Sequence, residues 1–162
     1  MKKSILILLL IFLGNSAIPA QEKVALVEDN FSGNLYKWWT GRSAVSRCEI
    51  THGEYILSYR GQKSWSSNIE VNIDQRGDFI IESKISRMSG TDENGYGITW
   101  GKGRKGYYTF IITPKGKFYV RKVEKGRAGV YLVDWQETPF INKTSATNKL
   151  RIQKKEMKYS FL

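Results

Sequence analysis

Short segments in which apolar and polar residues alternate follow one another along most of this chain, separated by turn-forming residues. Alternation with a period of two is typical of β-strands that bury one face. No stretch shows the longer period of an amphipathic helix. We therefore predict an all-β protein. The predicted strands lie within 49–57 (two strands joined at His52-Gly53), 67–73, 78–88, 96–100, 107–112, 117–123, 130–135, 148–153 and 157–162.

The clearest hairpin of the chain joins 107–112 to 117–123 through Thr113-Pro114-Lys115-Gly116. Proline presets φ for a turn and glycine two residues later accepts a positive φ. By alternation one face of these strands is apolar and points inward. We expect the inward side chains to be Tyr96, Ile98, Trp100, Tyr108, Phe110, Ile112, Phe118 and Val120.

The N-terminal segment has the composition of a secretory signal. Lys2 and Lys3 precede the apolar run 5–13, and small residues follow as far as Ala20. An apolar run of this length is too short for a membrane span. We predict a signal peptide at 1–20, no further membrane span, and a secreted, periplasmic or cell-envelope location. Residues 21–162 have the length of a single domain. Ten strands in a domain of this size would form a two-sheet antiparallel β-sandwich or jelly roll.

Charge and composition restrict the chemistry. Lys2 and Lys3 supply two of the +11 net charges, so a net charge of +9 remains on 21–162. This positive charge favours anionic partners, but an ordinary solvated, lysine-rich surface would have it too. The extracellular location makes nucleic acid an improbable partner. Cys48 is the only cysteine, so no intrachain disulfide forms, and His52 is the only histidine. A Cys48–His52 dyad and a histidine-based metal cluster are therefore disfavoured.

A basic, aromatic stretch offers the strongest indication of a binding site. Residues 101–133 contain nine Lys or Arg and one acid, Glu124. The face opposite the predicted core carries tyrosines beside the basic loop 102–105, an arrangement that suits stacking of sugar rings and binding of an acidic glycan. Trp39, next to Trp38, would point outward if its neighbour points inward. The candidate ligand-binding residues are Tyr107, Thr109, Tyr119, Arg121, Trp39, Arg104 and Lys105.

Acidic residues provide weaker candidates for a catalytic site or a metal site. Glu70 and Asp74 would share a strand face in the manner of paired glycosidase carboxylates, but Asn72 stands between them, and we assign no catalytic residue. The loop Asp92-Glu93-Asn94 has oxygen ligands suited to Ca²⁺, although turns also favour these residues for backbone reasons. No metal or cofactor is assigned, with Ca²⁺ left as the open alternative.

Several segments resemble secreted bacterial domains with a concanavalin A-like or laminin G-like jelly roll, over roughly 28–162. The segments that carry the resemblance are 28–34, 38–41, 78–83, 95–101, 108–112, 116–120, 134–135 and 148–152. It implies a jelly-roll fold, which hosts lectins, adhesive modules and glycoside hydrolases. The chain is also similar to periplasmic domains linked to hydrolysis of oxidised disaccharides. Such domains add closing strands after the position of 158–161, so the sequence predicts either a truncated C-terminus or a domain that ends with its final strand.

The sequence thus predicts a secreted, non-catalytic module that binds a glycan or envelope polysaccharide, with an acidic glycan as one form of that ligand. The first alternative is a protein-interaction or adhesion module whose exposed aromatic face meets another extracellular protein. The second is an enzyme related to glycoside hydrolases.

Overall fold

The computed structural model describes residues 24–74 and 76–162, and the regular elements of these residues are all β-strands. The predicted signal peptide, 1–20, lies outside the described residues. Within the described part, no helix has the length and apolar character needed to cross a membrane. The strands are β1 (Gly41–Arg42), β2 (Ser46–Thr51), β3 (Glu54–Tyr59), β4 (Phe79–Ile85), β5 (Tyr96–Gly103), β6 (Gly106–Ile112), β7 (Lys117–Glu124), β8 (Val130–Glu137), β9 (Asn148–Lys155) and β10 (Lys158–Phe161).

The strands form three antiparallel sheets where two were predicted, and the all-β antiparallel part of the prediction is confirmed. The first sheet has the order β1-β2-β3, the second β10-β9-β4, and the third β5-β6-β7-β8. The third sheet is a meander of neighbouring hairpins, whereas β4 and β9 pair across a long sequence separation. The third sheet therefore depends mainly on local pairing, and the second on tertiary contacts.

The second and third sheets share one hydrophobic core, as in a β-sandwich. Ile112, Val120 and Ile152 have no exposed surface and belong to one cluster with Trp100 and Leu150. Phe161 of β10 adds an edge-on contact to Phe110, with ring centres 5.5 Å apart. The predicted inward face is confirmed: Trp100, Phe110, Ile112 and Val120 are buried, and Tyr96, Ile98, Tyr108 and Phe118 pack against them.

Turn residues adopt the backbone conformations that their types favour. His52 and Gly53 have φ of 52° and 74°, the two positive values of a type I′ hairpin turn, between Thr51 and its partner Glu54. Gly116 has φ of 82° at the end of the predicted Pro-Gly turn. The predicted hairpins at 49–57 and 107–123 are thus confirmed.

Strand bounds differ from the prediction by a few residues at several places, as in β4, which ends at Ile85 and not at residue 88. Two segments differ in kind. Residues 67–73 form no strand, although Ile69, Val71 and Ile73 are more buried than the polar residues between them. The alternation is real, but no strand among the described residues supplies ladder partners, and Ile73 N–H instead donates to the Val71 carbonyl at 3.1 Å. The expected loop 101–106 is shorter, because Gly103 pairs with Gly106 and leaves a two-residue turn.

Candidate functional site

The outer face of the third sheet carries the candidate residues on adjacent strands. Thr109 of β6 pairs with Arg121 of β7, which pairs with Tyr131 of β8. Tyr107 and Tyr119 flank this row on the same face, because residues two apart on a strand point the same way. The structure therefore places four of the predicted residues, Tyr107, Thr109, Tyr119 and Arg121, on one surface opposite the core.

Three aromatic rings form a contact cluster on this face. The Tyr119 ring lies 4.5 Å from Trp135 and 5.5 Å from Tyr131, centre to centre, and both contacts are edge-on. Tyr131 and Trp135 are each 45% exposed. Burial raises the pKa of the Tyr119 hydroxyl, with a further contribution from the neighbouring Tyr131. We call Tyr119, Tyr131 and Trp135 the outer aromatic cluster.

Sequence reasoning missed Tyr131 and Trp135, because strict alternation puts both on the same side as Val133. Val133 in fact packs against the core. The β7–β8 register shifts between Phe118 and Val120 and again between Val120 and Arg121. A bulge adds one residue to a strand and reverses the parity of the residues beyond it. The two shifts therefore turn Tyr131 and Trp135 outward while Val133 between them stays inward.

Arg121 lies beside the outer aromatic cluster. Its guanidinium carbon is 5.5 Å from the centre of the Tyr131 ring, a cation–π contact. The Arg121 Nε is buried and has no hydrogen-bond partner among the described residues. The Thr109 hydroxyl oxygen is also buried and interacts with the Tyr119 hydroxyl. As whole residues, Thr109 and Arg121 are each half-buried.

Basic residues gather at the end of the third sheet where β5 and β6 are joined. Arg104 and Lys105 form the two-residue turn between β5 and β6, and the Lys125 N–H donates to the Lys105 carbonyl at 3.0 Å. We call Arg104, Lys105 and Lys125 the basic rim. A depression of about 310 Å³ lies against Arg104 and Lys105 and is lined by Tyr107 of the outer face and by Tyr108 and Lys122 of the opposite face. None of the rim side chains forms an ion pair within the described part of the chain.

Trp39 occupies a different part of the molecule. Its ring is 41% exposed and makes an edge-on contact with Trp65 at 5.6 Å, over the backbone of Gly41. Trp38 points inward, where its Nε1 donates to Asp29 at 2.9 Å and its ring packs on Tyr55. Among the described residues, no ring contact links Trp39 to the outer aromatic cluster, so the structure does not bring Trp39 together with the other candidates.

The carboxylate pair proposed from the sequence lacks the strand that was expected to hold it. Glu70 lies in the irregular segment 67–73. Asp74 begins a turn, in which its Oδ1 accepts the Arg76 N–H at 2.9 Å and its carbonyl accepts the Gly77 N–H at 3.1 Å. The position of Asp74 is thus explained by backbone turn chemistry.

Cys48 and His52 do not form a reactive pair. Cys48 is buried within β2, opposite Leu57, and burial raises the pKa of its thiol, with an opposing effect from Tyr55. His52 lies in the β2–β3 turn, where Nδ1 is 2.9 Å from the Thr51 hydroxyl. A buried thiol with a raised pKa is a poor nucleophile.

The acidic loop at 92–94 is engaged in ion pairs. Asp92 lies 3.1 Å from an Arg87 nitrogen, and Glu93 pairs with Lys115. The Lys115 ammonium holds the pKa of Glu93 below its usual value. Across residues 24–74 and 76–162, no group of three or more His, Cys, Asp or Glu is arranged to hold a metal ion.

Comparison with known proteins finds no matching family model, no matching curated protein and no matching solved structure.

Proposed function

We propose that this chain is a secreted, non-catalytic module that binds glycans on the outer face of its third sheet. The observation that carries the proposal is the outer aromatic cluster, half-exposed on a strand face beside Arg121. Tyr107 and the basic rim extend this surface toward the β5–β6 turn. Secretion rests on the signal peptide predicted at 1–20.

Aromatic rings on rigid strands suit sugar recognition. The apolar C–H faces of a sugar ring stack on Tyr and Trp, and adjacent polar groups bind its hydroxyls. Tyr and Trp lose little conformational entropy on binding because they have two side-chain torsions. The edge-on contacts of Tyr119 with both neighbours restrict its ring before any ligand arrives. Preorganisation of this kind supports affinity on an open surface.

The finer fold assignment is part of the same proposal. A concanavalin A-like jelly roll is supported by the all-β antiparallel architecture and by the core shared between the second and third sheets. Folds of this class carry ligands on sheet faces and loops, which agrees with a site on the third sheet, but the site chemistry and not the fold supports glycan binding.

A protein-interaction module is the second candidate, and one observation favours it. Strand β8 is an edge of the third sheet, and its side chains Val130 and Leu132 are exposed together with Trp135. An exposed apolar edge strand accepts another chain by ladder pairing. Binding at this edge would not require a sugar and would survive competition by one.

A glycan array probed with residues 21–162 tests the proposal. We expect saturable binding at about 0.15 M salt that persists at higher ionic strength, because stacking is not screened as surface charge is. Trp135→Ala and Tyr119→Ala should each weaken binding about tenfold or more, on the scale of one aromatic contact. Phe140→Ala is the matched control, since Phe140 is 90% exposed and lies outside the cluster.

Two other results would contradict glycan binding by the outer aromatic cluster. Binding that vanishes with salt and ignores Trp135→Ala would show that the positive charge acts non-specifically. Absence of glycan binding by a folded protein, together with capture of a protein ligand that Trp135→Ala abolishes, would favour the interaction module.

A further inference from the structure

Arg121 is packed between two groups that fix its guanidinium. The Tyr131 ring lies on one side at 5.5 Å. Gly129 also approaches so closely that a Cβ at this position would be 2.3 Å from Arg121 Nε and 2.7 Å from Cζ. Only a residue without a side chain allows the guanidinium to take this place. The planar fork of Arg121 is therefore held in position before a ligand binds.

The charge of Arg121 is not neutralised within the described residues. No carboxylate forms an ion pair with it, whereas the adjacent Lys122 and the nearby Arg127 both bind Glu124, at 2.7 Å and 3.1 Å. Arg121 Nε is buried without an acceptor. Buried polar groups are normally satisfied by a partner, and a charged group without one is costly. The fork thus lacks the anion that its neighbours already have.

The neighbours of Arg121 define where that anion would sit. Tyr119 lies two residues away on β7, about 7 Å along the same face, and its ring belongs to the outer aromatic cluster. A sugar stacked on the cluster would bring a group attached directly to its ring close to Arg121. A planar carboxylate matches the two parallel N–H donors of an arginine fork.

We infer that Arg121 binds the carboxylate of a uronic acid unit, so that the module selects uronate-containing glycans. This inference rests on the proposed glycan function and assigns its substrate class. Tyr119 and Trp135 hold the sugar ring, and Arg121 reads the carboxylate. The basic rim, formed by flexible side chains at a turn, adds attraction that salt screens.

Galacturonic acid oligosaccharides and their methyl esters test the inference, because esterification removes the charge and retains the sugar. Calorimetry at about 0.15 M salt should show that the acid binds at least about tenfold more tightly than the ester, as expected for a hydrogen bond to a charged group. Arg121→Gln should reduce that ratio to about one. Arg121→Lys should lose most of it, since an ammonium retains the charge but not the fork. Lys155→Gln, which removes an exposed charge from β9 of the second sheet, should leave the ratio unchanged.

The outcomes separate the inference from the function beneath it. Equal binding of acid and ester, both weakened by Trp135→Ala, would overturn the role of Arg121 and retain glycan binding. A ratio that survives Arg121→Gln, or that Lys155→Gln abolishes, would also overturn it. If a sulfated dextran bound more tightly than the galacturonic acid oligosaccharides, and this binding required Arg121, the group that Arg121 binds would be a sulfate and not a carboxylate. Failure of the folded protein to bind any of these probes would overturn both proposals.

Discussion

Arg121 and Tyr131 face each other across the β7–β8 ladder, with the guanidinium carbon 5.5 Å from the centre of the ring. The contact places a positive charge at the margin of an aromatic surface, in a sheet whose opposite face is the core. The arrangement depends on the backbone at Gly129 as much as on the two side chains, because Gly129 leaves the space that the guanidinium fills.

Replacing Gly129 by alanine should displace the Arg121 guanidinium. The new Cβ would lie 2.3 Å from Nε, and the flexible arginine side chain moves more easily than the backbone at Gly129. We expect the free energy of unfolding to change by less than about 1 kcal/mol. The Arg121 side-chain N–H resonances, which the Tyr131 ring shifts, should move in NMR spectra, and the preference for acid over ester should fall. Gly33→Ala, where a Cβ meets nothing within 4 Å, is the control. Unchanged resonances would contradict the packing.

Gly106 should not tolerate alanine. It begins β6 with φ of 143°, and a Cβ there would lie 1.9 Å from the Val123 carbonyl oxygen. Backbone of a paired strand cannot move away as a side chain can, so we expect a loss of about 3 kcal/mol or more in urea denaturation. Gly126 has φ of 75° and open space around it, so alanine there should cost only about 1–2 kcal/mol. Similar losses at both glycines would contradict the close approach.

Lys154 should stabilise the turn before β4. It is 6% exposed, and its ammonium donates to the Arg76 and Gly77 carbonyls, each at 2.9 Å. Lys154→Met retains the aliphatic length but leaves both carbonyls without their donor, at an expected cost of about 1–3 kcal/mol. Lys155→Met, at the exposed neighbouring position, should stay within about 0.5 kcal/mol of the parent chain. Urea denaturation of both variants gives the free energies of unfolding to compare. Equal values would show that the Arg76 and Gly77 carbonyls find other donors.

Tyr55 should make the protein less stable at high pH. Burial, with a further contribution from Cys48, raises the pKa of Tyr55 from 10.0 to about 12. Its hydroxyl donates to the Trp39 carbonyl at 2.8 Å. The unfolded chain therefore loses the phenolic proton at lower pH than the folded chain does. Stability is fully present below pH 10 and declines as the pH rises from 10 to about 12.

Urea denaturation at a series of pH values checks this sign. The decline between pH 10 and 12 should be steeper for the parent chain than for Tyr55→Phe, which has no proton to lose. Tyr55→Phe should also be less stable at pH 8, because the Trp39 carbonyl loses its donor. Two curves that remain parallel up to the highest pH would show that Tyr55 titrates alike in both states.

The sequence alone determined the all-β fold class and which side chains of the central hairpin, 107–123, face inward or outward. Phe110 and Val120 point inward and Tyr107 and Arg121 outward, as alternation predicts. This inference succeeds because β6 and β7 are joined by a short Pro-Gly turn and pair in regular register. Within such a hairpin, the face of each side chain follows from its parity along the strand.

Tertiary structure decided the rest of the site. Tyr131 and Trp135 join Tyr119 because the β7–β8 register shifts twice, and nothing local in 130–137 marks those shifts. Residues 67–73 have the pattern of a strand but pair with no strand in the part of the chain that the structure describes. A strand needs a neighbour to satisfy its backbone hydrogen bonds, and a bulge arises from the fit between two strands. Periodicity describes one segment, whereas pairing and register belong to segments that meet only in the folded chain.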